Sequence, residues 1–121
     1  MNKREFLKAG GAGLVAATLV RPAFAVPGRR IAVVQAELPG AEAFAARERA
    51  AGAEIMVPKG DPVRWFRNEL KPVLRGATVA GYTDATHALV LEHSLRETGY
   101  GRAGAPVHKG RTTQWAAARR A

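Results

Sequence analysis

The 121-residue chain contains no cysteine. That excludes disulfide staples, thiolate-ligated zinc, iron–sulfur clusters and covalently attached c-type haem, so stability has to come from a packed core alone. Aromatic residues make up only 7% of the chain, which leaves no interleaved ladder on which a single-strand nucleic-acid binder could stack bases. The one serine, Ser94, falls in the middle of an expected helix, so no nucleophile elbow is present. No apolar run reaches the roughly 20 residues of a membrane span; Ala9 to Val20 is too short. Acidic residues are also few, 10 against 19 Lys and Arg, for a formal charge of +9. An excess of that size favours anionic partners.

The first 25 residues read as an address and not as part of a fold. A charged head through Lys8 is followed by the apolar run, and then by a small-x-small terminus at Ala23 and Ala25, which predicts a cut after Ala25. Lys3-Arg4-Glu5-Phe6-Leu7-Lys8 resembles the twin-arginine translocation motif, with Lys3 where that motif has its first arginine. The Gly- and Ala-rich, weakly hydrophobic run and Arg21 before the cut agree with that route; ordinary Sec export is the alternative and has the same destination. The resemblance implies a bacterial chain that crosses as a finished domain into the periplasm, touching the membrane only transiently through the signal. The leader holds Lys3, Arg4, Lys8 and Arg21 against Glu5, so residues 26–121 keep 15 basic against 9 acidic residues, a net +6. They suffice for one small domain.

Within that domain, Arg30 to Gln35 is a continuous β-branched run, as expected of a buried parallel strand. Pro39 and Gly40 open a helix through about Ala51, with Ala41, Phe44, Ala45 and Ala51 inward and Gly52 as its C-terminal cap. Glu54 to Pro58 predicts a second strand. Asp61-Pro62 is a strong helix start, because a short carboxylate accepts from free helix amides and proline suits the first helical position. From there Val63, Phe66, Leu70, Val73 and Leu74 form an apolar stripe, and Arg64, Arg67, Asn68, Lys71 and Arg75 a mostly basic one beside it. Pro72 predicts a kink or break near Lys71. Ala77 to Tyr82 predicts a third strand, weakened by Gly81, and Thr83-Asp84 caps a helix from Ala85 to about Thr98 whose core line is Ala88, Leu91 and Leu95, broadened by Leu89 and Val90. Gly99 to Ala105 reads as a flexible link, Val107 to Trp115 as a hairpin turning at Lys109-Gly110, and residues 116–121 as a disordered tail.

Strands alternating with helices imply an α/β fold: a small three-layer, Rossmann-like or flavodoxin-like parallel sheet (βαβαβα), closed at one edge by a C-terminal antiparallel hairpin. Ligands of such sheets bind outside the carboxyl ends of the strands, where helix N-termini favour an anion. Gly99-Tyr100-Gly101-Arg102-Ala103-Gly104 matches the dinucleotide fingerprint letter for letter, but it follows a helix and leads into Ala105-Pro106, whereas the chemistry needs a strand before and a helix after. No cofactor is expected.

Two constellations remain. Asp61, Asp84 and His87 could meet at the carboxyl edge as an acid/base cluster, against the plainer reading of both aspartates as helix caps. His87 and His93 are six apart and point some 120° from each other at ~100° per residue, so they share no metal, and no metal site is expected. Arg64, Arg67, Lys71 and Arg75 could grip an anion or an acidic partner, with Trp65 as an interface anchor; a solvated helix face is the plainer reading. Gly60-Asp61, Trp65-Phe66, Leu70-Lys71-Pro72-Val73-Leu74, Val79 to Thr83, Leu89 to Leu95 and Trp115 together resemble a group of short proteobacterial exported proteins with twin-arginine-type signals; that resemblance supports a closing strand around Trp115 and implies no activity. The expected function is a periplasmic, non-catalytic binding or accessory domain for a small anion or a protein partner, not for nucleic acid. The alternative is a small hydrolase-like enzyme built on Asp61, Asp84 and His87.

Overall fold

A computed structural model describes residues 28–120. The export-signal residues Lys3, Arg4, Phe6, Leu7 and Lys8 and the cleavage residues Ala23 and Ala25 lie outside these described residues.

The three apolar runs do form neighbouring parallel strands. β1 (Arg30–Val34) pairs with β2 (Glu54–Met56) through Ala32↔Ile55 and with β3 (Thr78–Thr83) through Ala32↔Ala80. Helix α1 (Ala41–Ala50) links β1 to β2. The α2 segment (Pro62–Trp65, with one π turn over Phe66–Leu70 and a 3-10 turn over Lys71–Val73) links β2 to β3, and α3 (Ala85–Glu97) follows β3. Both faces of the sheet are covered. Ala32, Val34, Ala80 and Tyr82 pack with Leu38, Ala41 and Phe44 on the α1 side. Ile31, Val33, Val79, Trp115 and Ala117 pack with Trp65, Phe66, Leu70, Leu91 and Leu95 on the other. Because both faces are apolar, the strands read as unbroken hydrophobic runs and not as alternating ones.

The sheet is mixed, with six strands. β4 (Tyr100–Arg102), β5 (Val107–Lys109) and β6 (Thr112–Arg119) complete it in the order β2-β1-β3-β6-β4, with β5 also on β6 and every pairing of β6 antiparallel. The hairpin turns at Gly110-Arg111. Tyr100↔Arg119 and Val107↔Gln114 show seven steps on one strand against five on the other, so residues 103–106 bulge out of the edge. Three expectations are overturned here. Gly99 to Ala105 is not a link, because Tyr100 is buried and donates its hydroxyl to the Ala77 carbonyl at 2.8 Å, which holds β4 in the sheet. Residues 116–119 are not a disordered tail but the second half of β6. Their alanines fit a strand covered on both sides, between β3 and β4. The second strand ends at Met56, leaving Val57 exposed.

Gly81 does not weaken β3 as expected; it makes room. The Trp115 indole lies directly over it, where any Cβ would overlap Cε2, Cζ2 and Nε1, and Nε1 donates to Thr83 Oγ1 at 3.0 Å. The expected break at Pro72 is present and begins earlier, as the π turn. The Lys71 amide reaches back five residues to the Phe66 carbonyl, which moves the chain out of the register in which the Pro72 ring would meet the Asn68 carbonyl. That extra residue rotates the stripe: Trp65 is 6% exposed and part of the core, whereas Val63 is 50% exposed. Leu89 is 71% exposed, so α3 buries only the narrow line Ala88, Leu91 and Leu95. Ala51, expected inward on α1, is exposed as well. Among the described residues no helix is long and apolar enough to cross a membrane.

Candidate functional site

β1 and β3 lie side by side, and the helices that follow them leave toward opposite faces of the sheet. A crevice at the carboxyl ends of such a pair is where an open α/β sheet places a ligand. Here it is occupied by the protein's own polar groups. Gln35, 5% exposed, accepts from the Asp84 amide at 2.7 Å and donates to Asp84 Oδ2 at 3.1 Å and Glu37 Oε2 at 3.2 Å. Asp84 Oδ1 takes the His87 amide at 2.8 Å, which caps α3, and sits 3.0 Å from His87 Nδ1. A carboxylate only accepts, so Nδ1 is the donor in this contact. Alongside, Thr83 donates to the Asp84 carbonyl at 3.0 Å, and on the neighbouring strand His108 Nδ1 lies 2.9 Å from Thr113 Oγ1.

The charges here are fixed and negative. Burial pushes the Asp84 carboxyl up, but the His87 amide, the Gln35 side chain and the His87 ring outweigh it and hold it below the ordinary carboxylate value. Glu37 is held low first by its own backbone amide, then by Gln35. Of the helix N-termini expected to favour an anion at this edge, those of α2 and α3 already face the carboxylates of Asp61 and Asp84, whereas α1 starts at Gly40 with no side-chain cap.

Asp61 takes no part in this cluster. Its Oδ2 accepts from the Arg64 amide at 2.8 Å, and among the described residues no hydrogen bond or ion pair joins it to Asp84 or His87. It lies instead in a cleft of about 510 Å³ beside β2, the open edge strand of the sheet. Met56, Val57 and the Trp65 ring make the apolar lining, and Lys59, Arg64, Asn68 and Glu69 the polar part. No family model matches the chain, and no curated protein or solved structure is significantly similar to it.

The basic stripe is not one surface. Arg64 lines the cleft, whereas Arg67, Lys71 and Arg75 are exposed outside it, because the π turn rotates the second half of α2 relative to the first. Trp65, expected as an interface anchor, lines the cleft with its exposed 6% and is otherwise packed in the core. Sequence reasoning gave no site role to Gln35, Glu37 or Glu69, and had Asn68 only as a member of the polar stripe. A polar residue directly after the apolar run Ile31 to Val34 was the available signal for Gln35; nothing local marks Glu69. His93 is exposed and 3.4 Å from Glu97. Among the described residues no three His, Asp or Glu side chains converge as a metal site.

Proposed function

We propose that the domain is an exported, non-catalytic binding or accessory module of the periplasm, and that it engages a protein partner through the cleft beside β2. The observation that carries this is the capping role of the would-be catalytic acids. Asp61 is committed to the Arg64 amide and Asp84 to the His87 amide and Gln35, while the roomy cleft combines an apolar lining with Lys59 and Arg64. The open outer edge of β2 adds unpaired backbone groups to which an extended segment could align. The β2-β1-β3 order, with helices on both faces, supports reading the parallel half as a small Rossmann-like or flavodoxin-like layer. The twin-arginine-type motif of Lys3, Arg4, Phe6, Leu7 and Lys8 supports export, and makes a co-exported, acidic partner protein the natural occupant.

The test is capture of partners from periplasmic extract, followed by titration of the captured protein in purified form. The reading expects Lys59→Glu with Arg64→Glu to abolish binding and Arg47→Glu to leave it intact. Binding that survives the double reversal would refute the cleft. A second reading, a small hydrolase, draws on the Asp84–His87 pair, whose Nε2 has no hydrogen-bond partner among the described residues. Turnover of p-nitrophenyl acetate that disappears in His87→Gln would favour it; no turnover would remove it.

A further inference from the structure

We infer that the amino-terminal edge of the sheet is a docking surface for a lipid bilayer containing anionic phospholipid. The inference is independent of the cleft, which lies at the opposite end of the strands.

The topology gathers cations there. Each helical segment runs back from the carboxyl edge, so Arg49, Lys71, Arg75 and Arg96 arrive at the amino edge, and antiparallel β6 ends there with Arg119 and Arg120. All six are exposed, and among the described residues none of them pairs with a carboxylate. Hydrogen bonds and strand pairing tie several of them together. Arg29 donates to the Val73 carbonyl at 2.6 Å, next to the turn that holds Arg75, and Arg119 pairs with Tyr100 in the sheet. The Arg120 amide donates to the Gly99 carbonyl at 2.9 Å, and the Gly99 amide to the Arg96 carbonyl at 3.2 Å. Of the nearby carboxylates, Glu54 is taken by Arg29 and Glu48 by Arg30, while Glu97 lies 3.4 Å from His93 and has no Arg or Lys partner among the described residues.

Helix ends explain part of this band, since cations in a last turn answer the exposed carbonyls. They do not explain Arg75, Arg119 or Arg120, which lie outside helices. The cations are spread along an edge and none lines the 510 Å³ cleft, so the arrangement suits an extended anionic surface better than a single bound phosphate. Every Phe, Tyr and Trp ring of the described domain is buried, which leaves no aromatic platform of the kind single-strand binders use for stacking bases. A second copy, at +6, would be repelled, and so would the chain's own cationic leader.

The test uses the full chain and vesicles of phosphatidylcholine alone or with phosphatidylglycerol, with binding read by co-sedimentation. Each cation facing an anionic bilayer is worth about fivefold in affinity. The triple variant Arg75→Gln, Arg96→Gln, Arg119→Gln should lose about a hundredfold in the phosphatidylglycerol-dependent part of binding. The triple variant Arg67→Gln, Lys109→Gln, Arg111→Gln removes the same charge from other surfaces and should stay within a few fold. Circular dichroism on both variants confirms that each is folded. Equal losses in the two would show that only net charge matters and would overturn the assignment, as would binding indifferent to phosphatidylglycerol. Equal or tighter binding to heparin or duplex DNA at the same salt, lost in the first triple, would reassign the edge and overturn the lipid.

Discussion

Substituting Gly81 by alanine should be costly, and costly only while Trp115 is present. The new methyl would occupy space already held by the indole, which has to withdraw by more than an ångström and so releases Thr83 Oγ1. Overpacking of a tight core costs about 1–3 kcal/mol, and the lost buried hydrogen bond about 1 kcal/mol. Restricting the unfolded chain returns about 0.5–1 kcal/mol. The net loss is about 2–3 kcal/mol, or about 10–20 °C in Tm for a domain of this size. Urea unfolding followed by far-UV circular dichroism measures it. In a Trp115→Leu background the clash is gone, and the same glycine-to-alanine change should be neutral or stabilise by up to about 1 kcal/mol. An equal loss in both backgrounds would refute the account and place the cost in the β3 backbone instead.

Asp84→Ala should destabilise by about 1–2 kcal/mol in the same assay, because it removes the α3 cap and strips Gln35 of an acceptor. Since the Asp84 carboxyl is held below its ordinary value of 3.8, its contribution is complete above that pH and is lost as the pH falls through the folded-state value; the variant should show a shallower acid limb. Burial raises the Tyr100 hydroxyl above its ordinary 10.0, so stability is complete below that pH and declines as the pH climbs through the folded-state value, a decline that Tyr100→Phe should flatten. Arg75 adopts a left-handed φ of 41°, a conformation asparagine tolerates better, so Arg75→Asn should raise the urea midpoint by the equivalent of about 0.5–1 kcal/mol.

What was legible in the sequence followed from signals that act within a few residues. The β-branched runs at Ile31 to Val34 and Ala77 to Tyr82 found their strands, Asp61-Pro62 found the start of α2, and Lys109-Gly110 found the hairpin within one residue. What was not legible depended on distant partners. Ala116 to Ala118 carries no strand signal of its own and is a strand because β3 and β4 flank it. Tyr100 looked like part of a glycine-rich link until its hydroxyl found the carbonyl of Ala77, 23 residues earlier. The π turn displaced Trp65 into the core and Val63 into solvent, a one-residue slip that periodicity cannot register. The same holds for the site. The two capping aspartates were readable locally, whereas the burial of Gln35 between Glu37 and Asp84 needed the strands in register.

The cations gathered where β1 and β3 begin face an opposite end where Glu37, Asp61 and Asp84 offset Lys59, Arg64, Lys109 and Arg111, and that imbalance would give the domain an electric axis. A body with such an axis experiences torque as well as attraction near a charged boundary, so its orientation is selected before contact. Arriving at an anionic plane, it would come to rest with His87 and the β2 cleft turned outward to the aqueous side, available to whatever approaches from there.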